Sequence, residues 1–402
     1  MRRISVLMAT AFVDMLGFAM IFPLLPFYAL RLAAPEWMIG WMIAIFSIAQ
    51  LASAPVWGRL SDKYGRRPAI IAGLGASAVA FVVFGMATSI WMLFLSRLIQ
   101  GFGGGTTGVL QAYVGDAVEP RDRARALGWL SASTSAGVMI GPAIGSLAFS
   151  LGPAAPGLIA ASLCLINVVF AGRWLPESVG HAGDQLIGRQ SDVRPGPAKS
   201  IKRTIWEVIV TPRRDVSKLI WIYALGMLGF MSTTSVLALY LETSFGVTEK
   251  TIGLFFVYVG ALGVVMRALL LGRLVDWLGE VRVMQFGATS LAFGILMISQ
   301  ANSALMLGVL MSFIPIGTAC LFPAVSALVT HRVPRHEFGQ TLGVQQTFGG
   351  MSRVIGPIWA TAAFQALGVH VPFYLASGVV LLVVFLTLRI DLAAVGDPVQ
   401  VV

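Results

Sequence analysis

The sequence predicts an all-α membrane protein: twelve transmembrane helices in two pseudo-symmetric six-helix bundles. Three observations carry this reading: the composition, the spacing of the apolar runs, and the placement of basic residues between them. Of 402 residues, 57% are hydrophobic and only 11% are charged, under half the roughly 25% charge of a soluble globular protein. So little charge cannot cover a wetted surface. It suits lipid, where each span takes about 20 apolar residues. The net charge of +10 alternates with the apolar runs instead of gathering on one face or domain, which excludes nucleic acid as a partner and reads as membrane topology.

The apolar runs fall at about 5–30, 38–57, 69–88, 91–115, 126–150 and 155–174, then at 218–241, 251–271, 283–300, 304–329, 339–366 and 371–390. Met1-Arg2-Arg3 resembles the start of a secretory signal, but the first run is too long for one and no small-residue cleavage site closes it. It reads as a retained span. Arg31 and Lys250 lie on one side, and Arg97, Arg267 and Arg353 lie deep within runs; the other 23 of the 28 Lys and Arg fall on the opposite side, in the connections, at run ends or before the first run. Basic connections stay in the cytoplasm, so both termini are expected there and the number of spans must be even. The expected location is the plasma membrane, of the bacterial inner-membrane kind, with the chain a monomer in the bilayer.

The expected domains are an N-terminal bundle over 1–175, a cytoplasmic linker over 176–217, and a C-terminal bundle with a short tail over 218–402. Arg-Pro-Gly-Pro at 194–197 breaks any helix. Beyond it, 198–210 sets Lys199, Lys202 and Arg203 beside Ile201, Ile205, Trp206 and Ile209. That stretch is either a short amphipathic helix on the anionic inner leaflet or a plain basic linker.

No enzyme is legible. Cys164 and Cys320 stand alone in apolar runs and read as small buried hydrophobes. Gly103-Gly-Gly-Thr-Thr-Gly108 fits G-x-G-x-x-G, yet no strand precedes it and it lies inside an apolar run. No phosphate-binding lysine loop occurs, and His181, His331, His336 and His370 form no zinc pattern. Neither a cofactor nor a metal is expected.

The two halves repeat. Gly58-Arg-Leu-Ser-Asp62 recurs as Gly272-Arg-Leu-Val-Asp276, 214 residues later, Gly141-Pro142 as Gly356-Pro357, 215 later, and Met15-Leu-Gly-Phe18 as Met227-Leu-Gly-Phe230, 212 later. A duplicated six-span unit marks a secondary transporter with its site at the interface of the halves. Asp14 falls opposite Gly226 and Arg97 opposite Met311 or Ser312, so the deep acid belongs to the first half alone.

Four segments carry chemistry. In the connection after span two, Gly58 and Gly65 permit a tight turn, and Asp62 can pair with arginines or a helix N-terminus. In span five, Gly137, Gly141 and Gly145 form a stripe that lets another backbone approach closely, and Pro142 removes one ladder hydrogen bond. In span one, Asp14 stands nine or ten residues in, about 14 Å deep at ~1.5 Å per residue. A charged carboxylate is costly there, so Asp14 is expected to face a cavity, as a proton carrier or as a structural acid. In span four, Arg97 cannot lose its proton but can stabilise an ionised carboxylate or hold water near it.

These segments make the chain resemble the major facilitator superfamily and, within it, the twelve-span drug:proton antiporters that include tetracycline efflux proteins. Residues 58–67 are similar to the family's loop motif between spans two and three. The resemblance implies a conformational latch of Gly58, Asp62, Gly65 and Arg66, closed by an acid at the inner end of span four, here Asp116. Residues 137–145 are similar to the antiporter motif, with Ser146 where the family usually has a further glycine. Asp14 with Pro23 and Pro26, and Arg97 with Gln100 and Gly101, resemble the first-span and fourth-span patterns. The implied activity is proton-coupled efflux of small hydrophobic or amphipathic compounds by alternating access, driven by the proton gradient. Helix depth adds Phe22, Gln111, Tyr258, Gln346 and Arg353 as expected substrate contacts. A lipid, lysolipid or sugar exporter on the same fold is the alternative. A non-transporting receptor or channel is more remote, since it needs neither the duplicated loop motif nor the deep acid.

Overall fold

The computed structural model describes residues 2–119, 122–178, 201–334 and 337–390, and all regular structure among them is helical. The linker residues 179–200 and the tail from 391 lie outside the described residues. The first half comprises α1 (Arg2–Ile21), α2 (Leu25–Arg31), α3 (Glu36–Tyr64), α4 (Arg66–Gly85), α5 (Ile90–Gly104), α6 (Thr107–Ala117), α7 (Arg123–Phe149) and α8 (Ala155–Trp174). After the linker come α9 (Ile201–Val210), α10 (Asp215–Phe245), α11 (Ile252–Val265), α12 (Leu271–Leu278) and α13 (Glu280–Ile298). The chain continues through α14 (Ala304–Met311), α15 (Phe313–His331), α16 (Phe338–Leu367) and α17 (Val371–Leu388).

Ten helical segments among the described residues are long and apolar enough to cross a membrane. The other two expected spans are helical but differ in kind. Span four divides between α5 and α6 at Gly105-Thr106, where the Thr106 hydroxyl donates to the Gly103 carbonyl at 3.0 Å. Span eleven is α16, 30 residues long but diluted by Gln340, Gln345, Gln346 and Arg353. Span one bends through a tight turn at Phe22–Leu24, where Pro23 lacks an N–H for the ladder. Span eight carries one wide helical turn at Met266–Leu270, which includes Arg267.

The chain forms two compact units, one of residues 1–194 with 238–260, the other of 195–237 with 261–402. In the first, α1 is gripped on two faces. Glycines of α7 meet one face: a Cβ on Gly137 would lie 2.5 Å from the Phe12 carbonyl oxygen, and one on Gly141 would lie 2.6 Å from Ala19 Cβ. A Cβ on Gly145 would fall 2.2 Å from the Met20 carbonyl oxygen. On another face, Asn167 of α8 donates to the Thr10 carbonyl at 2.9 Å. Glycines of α5 are packing positions: Gly101 lies against the Phe46 carbonyl, and Gly103, the first of the G-x-G-x-x-G match, against that of Gly73. Near the start of α1 a core of Leu7, Ala11, Trp57, Ile70, Leu74, Tyr113 and Leu175 fills the unit.

The second unit repeats these contacts. Gly356 meets Met231 and Ser232 of α10 as Gly141 meets Leu16 and Ala19, and Gly287 meets the Gly317 carbonyl as Gly73 meets that of Gly103. Ile205 and Val208 of α9 pack against Ile220, Trp221 and Phe348, whereas Trp206, Ile209 and Val210 stay exposed. Cys164 and Cys320 are buried free thiols.

One expectation fails. Gly58 forms no turn: it lies inside α3, seven residues before Gly65, with nothing within 4 Å of where its Cβ would stand. Helix propagation carries α3 through it to Tyr64, and Gly65 alone makes the turn, with φ +102°.

These contacts predict opposite effects of alanine at glycines of one helix. Gly141→Ala and Gly145→Ala each lower stability by about 1–3 kcal/mol through overpacking. Gly128→Ala, where the site is open, leaves it unchanged or raises it by up to about 1 kcal/mol through helix propensity. Thermal unfolding of the purified proteins in one detergent makes the comparison, and equal effects would show that the α1 contact does not constrain the fold.

Candidate functional site

Asp14 is half-buried on α1, and the Ser77 hydroxyl of α4 donates to its carboxylate. One turn further along α1, Gly17 lets Phe81 and Cys164 close against the helix. The acid therefore faces the inside of the bundle formed by α1, α4 and α8. Among the described residues it makes no ion pair; one neutral hydroxyl holds it.

Arg97 is 2% exposed. Its Cζ stacks over the Phe84 ring, 5.2 Å from the centroid, a favourable place for a desolvated guanidinium. Among the described residues its Nε and Nη2, like Oε1 of Gln100, have no hydrogen-bond partner. The structure does not bring Arg97 to Asp14. Their α4 partners, Ser77 and Phe84, stand seven residues apart, which offsets the two charges by about 10 Å along the bundle at ~1.5 Å per residue.

The residues of the loop motif do converge. Arg66 Nε donates to Asp116 at 2.9 Å, and Nη1 donates to the Asp62 carboxylate and, at 2.7 Å, to the Ser61 hydroxyl. A guanidinium presents its donors in a fixed fork and can bridge two acids in this way. The α4 N-terminus, which Asp62 was free to cap, is taken by Glu177 instead. Its carboxylate accepts from the Arg66 amide at 2.8 Å and the Arg67 amide at 3.2 Å, and it fills the space beside Gly65. Arg67 reaches on to the Gly172 carbonyl, and the Tyr113 hydroxyl donates to Pro176 at 2.7 Å. Glu177 went unnoticed in the sequence because it lies just past the last apolar residue of span six. Its signal is an isolated acid three residues beyond the span on the basic side.

The echo of this loop in the second unit is built differently. Gly279 takes the place of Gly65 with φ +79°, but Glu280 stands where Arg66 stands. Glu280 pairs with His331 at 3.4 Å, so the counterpart of the Arg66–Asp116 contact has reversed polarity. It is an ion pair only when the imidazole is protonated.

The expected substrate contacts fall in separate places. Phe22 joins an aromatic string in which its ring centroid lies 5.8 Å from that of Phe18, itself 5.2 Å from Phe46. Gln111 is exposed on α6 and Tyr258 is exposed on α11. In the second unit Gln346 donates to the Tyr223 hydroxyl at 3.2 Å, and Arg353 also acts on Tyr223 electrostatically. Within the first unit, Pro142 and Ser146 abut α11. Ser146 Oγ accepts from the Gly253 amide at 2.9 Å, and a Cβ on Gly253 would lie 2.4 Å from the Pro142 carbonyl oxygen. Nearby, Arg31 pairs with Glu249 at 2.9 Å and stacks on Phe149.

Two substitutions separate latch from cap. Asp62→Asn leaves Arg66 bound to Asp116 and removes an exposed pair, so stability changes by less than about 1 kcal/mol while transport falls. Glu177→Ala strips two helix N-terminal amides of their acceptor and lowers stability by about 1–2 kcal/mol. Thermal unfolding and vesicle uptake on both variants make the test; full transport by Asp62→Asn would remove the latch role.

The chain is 27% identical over 379 residues to multidrug resistance protein 1 of Bacillus subtilis (strain 168), covering 93% of this chain and 92% of that one. It is 26% identical over 356 residues to the class G tetracycline resistance protein of Vibrio anguillarum, covering 88% of each. Among solved structures it superposes on the human organic anion transporter MFSD10 with TM-score 0.70 at 21% identity, covering 96% of this chain and 99% of that one. It superposes on the nucleoside transporter NupG with TM-score 0.75 at 13% identity, covering 95% and 99%. Both are likenesses of fold. Residues 7–314 and 219–398 match the Major Facilitator Superfamily. The chain thus belongs to that superfamily, as a multi-pass secondary transporter of small molecules and not an enzyme.

Proposed function

We propose that this transporter is a proton-coupled exporter of small hydrophobic or amphipathic compounds that works by alternating access. The observation that carries the reading is Asp14, the one carboxylate among the described residues held far from both ends of a span. A carrier driven by protons needs a group that gains and loses one as its surroundings change, and arginine does not. With a single hydroxyl donor from Ser77 and no cation on it, protonation of Asp14 changes the charge inside its bundle outright. Arg97, two helical turns away, acts on that charge at a distance. The names of the multidrug and tetracycline resistance relatives, alike along most of the chain, favour drug-like substrates.

The energy suffices. A proton crossing ~100 mV releases about 2.3 kcal/mol and a pH unit about 1.4, which together support roughly a 500-fold gradient of neutral substrate per proton. In the working cycle the Arg66 bridge to Asp62 and Asp116 is the inner latch. The contact of Arg31 with Glu249 and that of Ser146 with Gly253 are its outer counterpart. Both termini face the cytoplasm of a bacterial-type plasma membrane, and α9 rests its exposed Trp206 and Ile209 on the inner leaflet beside Arg213 and Arg214.

Asp14→Asn fixes the neutral form. In proteoliposomes with an imposed pH gradient this variant accumulates substrate no better than empty vesicles, while downhill exchange persists. Substrate-induced proton release from the purified protein disappears. Retention of uphill transport and proton release by Asp14→Asn would overturn the coupling role.

A further inference from the structure

Arg353 lies at the middle of α16, fifteen residues from Phe338 and fourteen from Leu367. Each end is about 21–22 Å away at ~1.5 Å per residue, farther than an arginine stem reaches by snorkelling. It is only partly exposed, and it makes no hydrogen bond or ion pair among the described residues. The spans of its unit offer it no acid: Asp215, Asp276 and Glu280 all stand at helix ends. An intramembrane arginine normally finds an opposite charge or a polar partner, because its desolvation is costly. Arg353 is left with a positive field and free donors.

Its surroundings are aromatic and polar. Gly349, one turn before Arg353, lets an edge of the Tyr223 ring approach α16, where a Cβ would lie 2.7 Å from the ring. Gln346, two turns before, holds the Tyr223 hydroxyl. The Tyr223 ring lies 5.2 Å from that of Phe322, which is 6.4 Å from that of Phe230. A cation with a planar donor fork therefore sits beside an aromatic row and a fixed hydroxyl, all within one unit. A planar apolar body can stack on the partly exposed Phe322 ring, which meets the buried Tyr223 edge to face, while an anionic group on it takes the guanidinium bidentately.

We infer that Arg353, Tyr223, Gln346 and Phe322 form a substrate subsite selective for aromatic amphiphiles carrying a carboxylate or a similar anionic group. The inference deepens the export reading: it rests on that reading only for the step that turns bound ligand into cargo. A cationic amphiphile meets repulsion at this place, and a neutral one loses the charge-assisted hydrogen bonds.

The test uses the full chain in nanodiscs of phosphatidylcholine and three probes of one shape: naphthoate, naphthamide and naphthylmethylammonium. The wild type binds naphthoate tighter than naphthamide by about tenfold or more, the usual worth of a charge-assisted bond, and binds the ammonium weakest. Arg353→Gln abolishes that preference while naphthamide affinity holds, and Arg353→Lys keeps part of it; equal thermal unfolding of the variants excludes misfolding. An unchanged ratio in Arg353→Gln, wild-type preference for the ammonium, or no binding of any probe overturns the subsite. Transport separates the two readings. If naphthoate binds through Arg353 but a pH gradient does not move it, the subsite stands and proton coupling falls. If a pH gradient drives export of naphthoate equally well in wild type and Arg353→Gln, coupling stands and the subsite falls.

Discussion

The contact on which the first unit depends is that between the backbones of α1 and α7. In lipid no hydrophobic effect draws one helix to another, so association rests on close packing and a few polar bonds. Gly137, Gly141 and Gly145 bring α7 so near that a methyl group at any of them would strike α1. With that face closed, the side of α1 bearing Asp14 and Gly17 is directed to Ser77, Phe81 and Cys164. The antiporter-like stripe therefore does more than pack. It sets the rotation of the helix that carries the acid, while Pro142 and Ser146, each next after a glycine of the stripe, hold α11.

Duplication supplied the packing twice and the chemistry once. The crossings at Gly73, Gly103 and Gly141 recur at an offset of 214 or 215 residues as Gly287, Gly317 and Gly356, because the backbones there approach too closely for a side chain, whereas Gly137 and Gly145 become Ser352 and Ala360. The polar positions tolerate change and have diverged. Asp14 and Ser77 correspond to Gly226 and Leu291; Gly226 packs against Leu321, and nothing there titrates. Arg66 and Asp116 correspond to Glu280 and His331, so one copy is held by a permanent bridge of one cation between two acids. The other has a single pair whose charge depends on the proton occupancy of an imidazole. A symmetric scaffold thus carries an asymmetric set of charges.

Much of this was legible in the sequence, and the rest was hidden for identifiable reasons. Spans show through apolar length and the repeat through paired motifs, while the convergence of Asp62 and Arg66 was expected from the resemblance of the loop motif. Asp116 required knowing where span four ends, which the resemblance supplied. Gly58 misled because a glycine in a motif suggests a turn, whereas its own neighbours propagate a helix. Glu177 was hidden because capping is a tertiary contact: nothing at 177 names the amides of residues 66 and 67, 110 positions earlier. The levels of Asp14 and Arg97 were also out of reach, since depth counted along each helix does not fix how neighbouring helices are staggered. Arg353 was visible as a buried charge, but the absence of an acid beside it is a property of packing.

The three mid-span charges illustrate how cost locates function in a membrane. A buried ion whose partners satisfy it fully is a structural element, and Arg66 with its two acids is near that limit. Among the described residues Asp14 has one hydroxyl, Arg97 an aromatic face, and Arg353 neither a hydrogen bond nor a counter-ion. Replacing such groups by hydrophobic residues of similar volume is often neutral or stabilising for a fold, so packing alone gives little reason for them. A free acid has its use in what it exchanges, and a free cation in what it attracts. The incompleteness of their contacts, more than their depth, is what sets Asp14 and Arg353 apart from the charges that only hold helices together.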